Sequence, residues 1–144
     1  MEQKASENQP LCGARVLVAE DEVLIALDME SAFLDAGAEV VGPCATLLAA
    51  LEAARNEKLS LAILDVRLGR ETTEEVSDLL AERGIPFLFY GGQTLPDEMR
   101  SKCNGVLVID KPATQRDLVG AAAKALAAQS LGPEPKEAVA NGSA

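Results

Sequence analysis

Glu20 and Asp21 close the apolar run Arg15-Val16-Leu17-Val18-Ala19, Asp65 closes Leu61-Ala62-Ile63-Leu64, and Lys111 follows Val106-Leu107-Val108-Ile109-Asp110. If these runs are parallel strands of one sheet, the three carboxylates and the ammonium emerge at the same edge. Carboxylates brought within a few ångströms of one another raise each other's pKa, and a bound divalent cation removes the conflict. An all-oxygen set with few protein ligands suits Mg2+, which keeps several of its waters. A carboxylate oxygen beside such a cation can attack a phosphoryl group, with the cation neutralising the equatorial oxygens and Lys111 adding a point positive charge. The chemistry on offer is acyl-phosphate formation. Taken singly, each residue has a plainer reading. Glu20 and Asp21 would favour the N-terminus of the next helix, Asp65 and Asp110 would be turn residues, and Lys111 a surface lysine. Their joint arrival at one sheet edge favours the site.

Strand and helix patterns alternate between a polar arm, residues 1–13, and a Pro- and Gly-containing tail, residues 131–144. After strand one, Val23, Leu27, Glu30 and Leu34 fall on one helical row and Ile25, Met29 and Phe33 on the next, predicting a helix that Gly37 stops. Glu39–Val41 reads as strand two, ended by Gly42-Pro43. Thr46 is placed to cap a helix through Asn56 with Leu47, Leu48 and Leu51 inward. Strand three is Leu61–Asp65. A loop, 66–71, leads to Thr72-Thr73-Glu74-Glu75, which reads as a capping box opening a helix that Gly84 stops. Phe87–Tyr90 and Val106–Ile109 read as strands four and five. Thr114 caps a last helix carrying Leu118, Ala122, Ala125 and Leu126. Between Gly91 and Gly105, Leu95, Met99 and Cys103 are spaced for a fourth helix, predicted short and loose because of the breakers around them.

The strands are near-continuous apolar runs, as expected where helices cover both faces. Five strand–helix units give an α/β, flavodoxin-like, doubly wound parallel sheet of order 2-1-3-4-5. Ligands of such sheets bind at the switch point beyond the carboxyl ends of the strands, here between strands one and three.

The 144-residue chain is long enough for one domain with a sizeable core, 14–130, built from aliphatic residues because aromatics are only 3%. It contains no histidine, which excludes Ser-His-Asp catalysis and His-metal centres. A net charge of −10 argues against nucleic acid and anionic membrane as partners. Cys12, Cys44 and Cys103 form neither a CxxC pair nor a disulfide framework and fit a reducing cytoplasm. No signal peptide or membrane-length apolar run is present, so a cytoplasmic location is expected.

Val18-Ala19-Glu20-Asp21-Glu22, Leu64-Asp65-Val66 and Lys111-Pro112 together resemble the motifs of the response-regulator receiver domain, the phosphoacceptor module of two-component signalling. The resemblance spans residues 14–130. It implies Asp65 as the phosphorylated aspartate and Lys111 as the phosphoryl-contacting lysine. It also implies a Mg2+ site made by Asp21 directly, Glu20 through water, Asp65 and the backbone carbonyl of Arg67. The Lys111–Pro112 bond is usually cis in this family. Ile25-Ala26-Leu27-Asp28-Met29-Glu30, Val40-Val41-Gly42-Pro43 and Ile85-Pro86-Phe87-Leu88-Phe89 further resemble receivers common in alphaproteobacteria, where strand four ends in a Phe-x-Thr-Gly-Tyr-like run. Here that stretch reads Phe89-Tyr90-Gly91-Gly92-Gln93. The family's switch hydroxyl is replaced by Gly91, beside Gly92, and its switch aromatic by Val108. A backbone N–H at Gly91 or Gly92 can still bind a phosphoryl oxygen.

The leading expectation is a stand-alone receiver phosphorylated on Asp65 by a histidine kinase or a phosphotransfer protein. It would be a phosphoacceptor that catalyses its own phosphorylation and dephosphorylation and is not otherwise an enzyme. Its output would be contact with a downstream protein partner, or phosphate shuttling. Two alternatives stay open: a pseudo-receiver adaptor that works without phosphorylation, and the receiver portion of a hybrid kinase. A flavodoxin-like small-ligand binder is disfavoured because no phosphate-cradling glycine motif follows strand one.

Overall fold

In the computed structural model, residues 9–92 and 95–131 are described. The expected tail, apart from Leu131, and most of the expected arm lie outside them. Elements follow in the order β1 (Arg15–Ala19), α1 (Val23–Asp35), β2 (Glu39–Cys44), α2 (Leu47–Asn56), β3 (Leu61–Leu64), β4 (Arg67–Leu68), β5 (Glu71–Thr72), α3 (Glu74–Arg83), β6 (Phe87–Gly91), α4 (Asp97–Lys102), β7 (Val108–Asp110) and α5 (Gln115–Leu131). The main sheet has the order β2-β1-β3-β6-β7 and is parallel throughout. This is the doubly wound arrangement expected from the strand–helix alternation. β4 and β5 form a separate antiparallel ribbon.

Every residue of β3 is buried, and Val16 to Ala19 of β1 are fully so, because helices lie on both faces. One core layer joins Leu17, Leu64 and Phe89 to Ala50, Ala54, Val76, Leu80 and Met99 on the α2–α3–α4 side. The other joins Val16, Val18, Ile63 and Tyr90 to Met29, Phe33, Leu118 and Ala122 on the α1–α5 side. Leu11, in a segment predicted as polar arm, is 1% exposed and belongs to the second layer, and its N–H donates to Ala36 O at 2.9 Å.

Several local expectations change. In α1 only the Met29–Phe33 row faces the core, with Ala26 and Ala32. Val23, Leu27 and Leu34 are exposed, as is Leu24. In α2 the small residues Ala50, Ala53 and Ala54 make the contact and Leu48 lies outward at 76% exposure. An alanine face lets the helix approach the sheet closely, so the larger leucines flank that contact. Thr46 does cap α2, accepting from Ala49 N–H at 3.1 Å. Strand two runs past Gly42-Pro43 to Cys44. The register of β1 against β2 shifts between Leu17 and Ala19, where Gly42 holds φ at +104° and any Cβ would lie 2.8 Å from Val18 O. α4 is only six residues long, as its breakers predict, yet Leu95, Met99 and Cys103 are all buried.

Candidate functional site

β1 and β3 end side by side, with Ala19 paired to Leu64. The next residues, Glu20 and Asp65, therefore leave the sheet together. Two backbone bonds fix them there: Glu20 N–H donates to Cys44 O at 3.0 Å, and Asp65 N–H donates to Ala19 O at 2.9 Å. β6 and β7 close the other side, where Lys111 N–H donates to Gly91 O at 3.2 Å. Asp21, Asp65, Val66, Arg67, Gly69, Gly91, Gly92 and Lys111 line a cavity of about 350 Å³.

Carboxylate oxygens of Glu20, Asp21 and Asp65 lie within 4.8 Å of one another. The Lys111 ammonium stands between two of them, 2.9 Å from Glu20 Oε1 and 3.2 Å from Asp65 Oδ2. Glu20 is 1% exposed. Its Oε2 accepts from Glu22 N–H at 3.1 Å, and its buried Oε1 has only the Lys111 ammonium beside it. Its charge is thus balanced by one ammonium that it shares with Asp65. Burial raises the Glu20 carboxyl and outweighs the lowering by Lys111 and by the Glu22 N–H; the neighbouring Asp65 charge adds to the rise. Burial by itself would pull Lys111 down. Glu20 and Asp65 overcome it, and the ammonium is held above its ordinary range.

The structure brings Glu20, Asp21 and Lys111 together with Asp65. Arg67 and both glycines, Gly91 and Gly92, line the same cavity. Val108 does not: it lies half-buried in a neighbouring groove with Leu95, Cys103 and Asp110, between α4 and β7. A Cβ on Gly91 would lie 3.1 Å from Val66 Cγ2 and 3.7 Å from Asp65 Oδ1. Position 91 therefore aims at the acidic cavity and delivers no side chain to it. The Lys111–Pro112 bond is cis, as the resemblance implies.

Three site features were missed. The segment read as a loop is the β4–β5 ribbon, whose Gly69 N–H donates to Asp21 Oδ2 at 2.8 Å. Thr73, read as part of a capping box, makes no side-chain cap. Its buried hydroxyl donates to Asp65 O at 2.6 Å, tying the start of α3 to the backbone of the candidate acceptor. Gly69 and the Thr72-Thr73 pair were visible as turn and cap signals, but nothing local showed that their partners lie in the site. Tyr90 is the third: its hydroxyl accepts from Ala113 N–H at 2.9 Å.

No protein-family model matches the chain. The transcriptional regulatory protein PdtaR of Mycobacterium tuberculosis is 30% identical over 110 residues, which cover 74% of this chain and 54% of that protein. The chain thus spans about half the length of this curated relative. Among solved structures, a response regulator receiver protein from Sinorhizobium medicae superposes with a TM-score of 0.69 at 26% identity, covering 80% of this chain and 95% of the other. A CheY-like receiver domain protein from Methanospirillum hungatei superposes with a TM-score of 0.73 at 23% identity, over 81% and 96%. The chain has the fold of the response-regulator receiver domain, and the resemblance seen in its motifs extends to the superposed structures.

Proposed function

We propose that this protein is a phosphoacceptor receiver, phosphorylated on Asp65 by a histidine kinase or a phosphotransfer protein in a Mg2+-dependent relay. The observation that carries this reading is the Lys111 ammonium held between Glu20 and Asp65 at the floor of an open acidic cavity. The residues fit a hard divalent cation. Their oxygens converge, the buried Glu20 Oε1 has a single ammonium to balance it, and a second carboxylate, Asp21, is exposed to the cavity. Glu20, Asp21 and Asp65, with the Arg67 carbonyl, would hold it. When bound, the cation would neutralise negative charge on the transferring phosphoryl group.

The remaining work falls to the chain. The Asp65 carboxylate attacks the phosphorus of the donor, the new bond is an acyl phosphate, and the donor leaves with the electron pair of the broken bond. Lys111 supplies a fixed positive charge to the oxygens that gather negative charge. Thr73 keeps the Asp65 backbone from turning away. Gly91 and Gly92 leave room for the phosphoryl group, and Gly92, just past the end of β6, offers a backbone N–H donor. Output is contact with a downstream protein, or passage of the phosphoryl group to another carrier.

Incubation with Mg2+ and a small phosphodonor, followed by intact mass, tests this. Wild type gains one phosphoryl group and Asp65→Asn does not. Equal labelling of Asp65→Asn overturns the assignment. A second reading, a pseudo-receiver adaptor, is favoured by one observation, the bare glycine where a switch hydroxyl would stand. It predicts no labelling of wild type, with partner binding unaffected by Asp65→Asn.

A further inference from the structure

We infer that Tyr90 is a positioning residue for Lys111. The inference rests on the phosphoacceptor reading above for its functional meaning, and on geometry of its own for its physical content. Tyr90 is 4% exposed and sits in β6 paired with Ile109 of β7. Its side chain leaves the strand on the α1–α5 face, opposite to the direction set by Gly91. It therefore does not stand in for the missing hydroxyl at position 91. It reaches instead beneath the segment that carries the lysine. The Lys111 ammonium lies 5.6 Å from the centre of the Tyr90 ring, within the range of a cation–π contact. The Tyr90 hydroxyl accepts from Ala113 N–H at 2.9 Å, two residues past the lysine.

With the Lys111 N–H bond to Gly91 O, the adjacent pair Tyr90-Gly91 holds the 111–113 segment at three points. A lysine side chain has four rotatable carbons and three donors that point anywhere, so its charge is useful only where something restricts it. Glu20 and Asp65 attract the ammonium from one side. The ring face bounds it from another and adds attraction of its own. A small apolar residue at position 90 would fill the core without touching Lys111, and it would leave Ala113 N–H without this partner.

The test compares Tyr90→Leu, which loses ring and hydroxyl, with Tyr90→Phe, which keeps the ring. Two readouts are taken: the Lys111 ε-methylene proton shifts by NMR, and the rate of phosphorylation by a small phosphodonor with Mg2+. In wild type the ε protons carry a ring-current displacement. Tyr90→Phe keeps it, shows faster exchange of the Ala113 amide, and stays within about threefold of the wild-type rate. Tyr90→Leu loses the displacement and slows on the order of tenfold, as expected when a charged group is loosened from its working geometry. In a Lys111→Met background, Tyr90→Leu produces no further slowing, because the two residues act as a unit.

If the wild-type ε protons show no displacement, or if Tyr90→Leu slows phosphorylation equally with and without Lys111, the inference is overturned. Should Tyr90→Leu fail to fold, the wild-type shifts and the Ala113 exchange in Tyr90→Phe still decide it. Wild type that accepts no phosphoryl group would overturn the functional reading. The NMR arm would then report separately on whether Tyr90 holds Lys111.

Discussion

Lys111 balances the charge of a carboxylate that has almost no other means of staying ionised. Glu20 is buried, its Oε2 has a single N–H donor, and its Oε1 has only the ammonium nearby. Removing one member of a buried pair leaves the other uncompensated, which costs more than the pair itself is worth. Lys111→Met is therefore expected to destabilise the metal-free protein by about 3 kcal/mol, and adding Glu20→Gln to recover most of that, both read from urea midpoints. The sign with pH follows from burial, which raises Glu20 in the folded state. A carboxyl raised in this way contributes stability that is full below its unfolded value and is lost as pH rises through the folded one. In Lys111→Met the loss above about pH 4 should be steeper than in wild type. Stability of that variant independent of pH between acid and neutral conditions would contradict this account of Glu20. Gly91 makes the opposite experiment possible. A Cβ there needs Val66 Cγ2 to give by a few tenths of an ångström and points a hydroxyl toward Asp65. Gly91→Thr should lengthen the life of the aspartyl phosphate about fivefold, the equivalent of one hydrogen bond of about 1 kcal/mol, measured by decay of the phosphorylated mass.

At the level of elements, the strands and their order were legible because buried parallel strands are written as continuous apolar runs with turn residues between them. Glu20, Asp21, Asp65 and Lys111 were legible for the same reason: a residue that ends such a run has its place set by the sheet. What was not legible depended on partners distant in sequence. The inward row of α1 was ambiguous because Val23, Leu27 and Leu34 share the period of Met29 and Phe33, and only packing on β1 and α5 decides between them. The β4–β5 ribbon has two residues a side, too few to show alternation. α4 is intermediate. Its three anchors were readable, and its links to α3, Lys102 to Glu74 at 2.6 Å and to Asp78 at 3.1 Å, were not. Lys102 and Asp78 are exposed and Glu74 is half-buried, so each pair adds little, enough to matter only to a short helix. With six residues and few anchors, α4 should open locally more often than the sheet. Cys103 reports on this. Burial pushes its thiol up, as it does that of Cys44, so neither reacts readily while packed. In native protein Cys103 should be alkylated faster than Cys44, faster still in Lys102→Ala, and more slowly once Asp65 is phosphorylated. Equal protection of the two thiols in all three states, by peptide mass, would mean that α4 is as firmly held as the core.

The whole molecule carries a net charge of −10, and among the described residues three of its carboxylates converge at the candidate metal site. No helix among the described residues is long and apolar enough to cross a membrane. A fold that gathers like charges at the end of a buried sheet does so against its own repulsion, and a ligand that binds only the gathered form returns that energy as stability. Millimolar Mg2+ at ten times its dissociation constant should therefore stabilise wild type by about 1.4 kcal/mol, a rise in melting temperature of about 5 °C for a domain of this size. Any divalent ion also screens a chain this acidic, so the magnitude alone decides nothing. The control is matched ionic strength in a monovalent salt, which screens the surface equally and has no preference for three converging oxygens. Asp21→Ala removes the exposed carboxylate of the cluster, frees the Gly69 N–H now bound to it, and should abolish the Mg2+-specific part while leaving the response to monovalent salt intact. Asp21→Asn separates the two roles, since its side-chain oxygen can still accept from Gly69 but brings no charge to a cation. If Mg2+ stabilises Asp21→Ala and Asp21→Asn as much as wild type, the ion is acting on the whole surface and the acidic cavity is not its site.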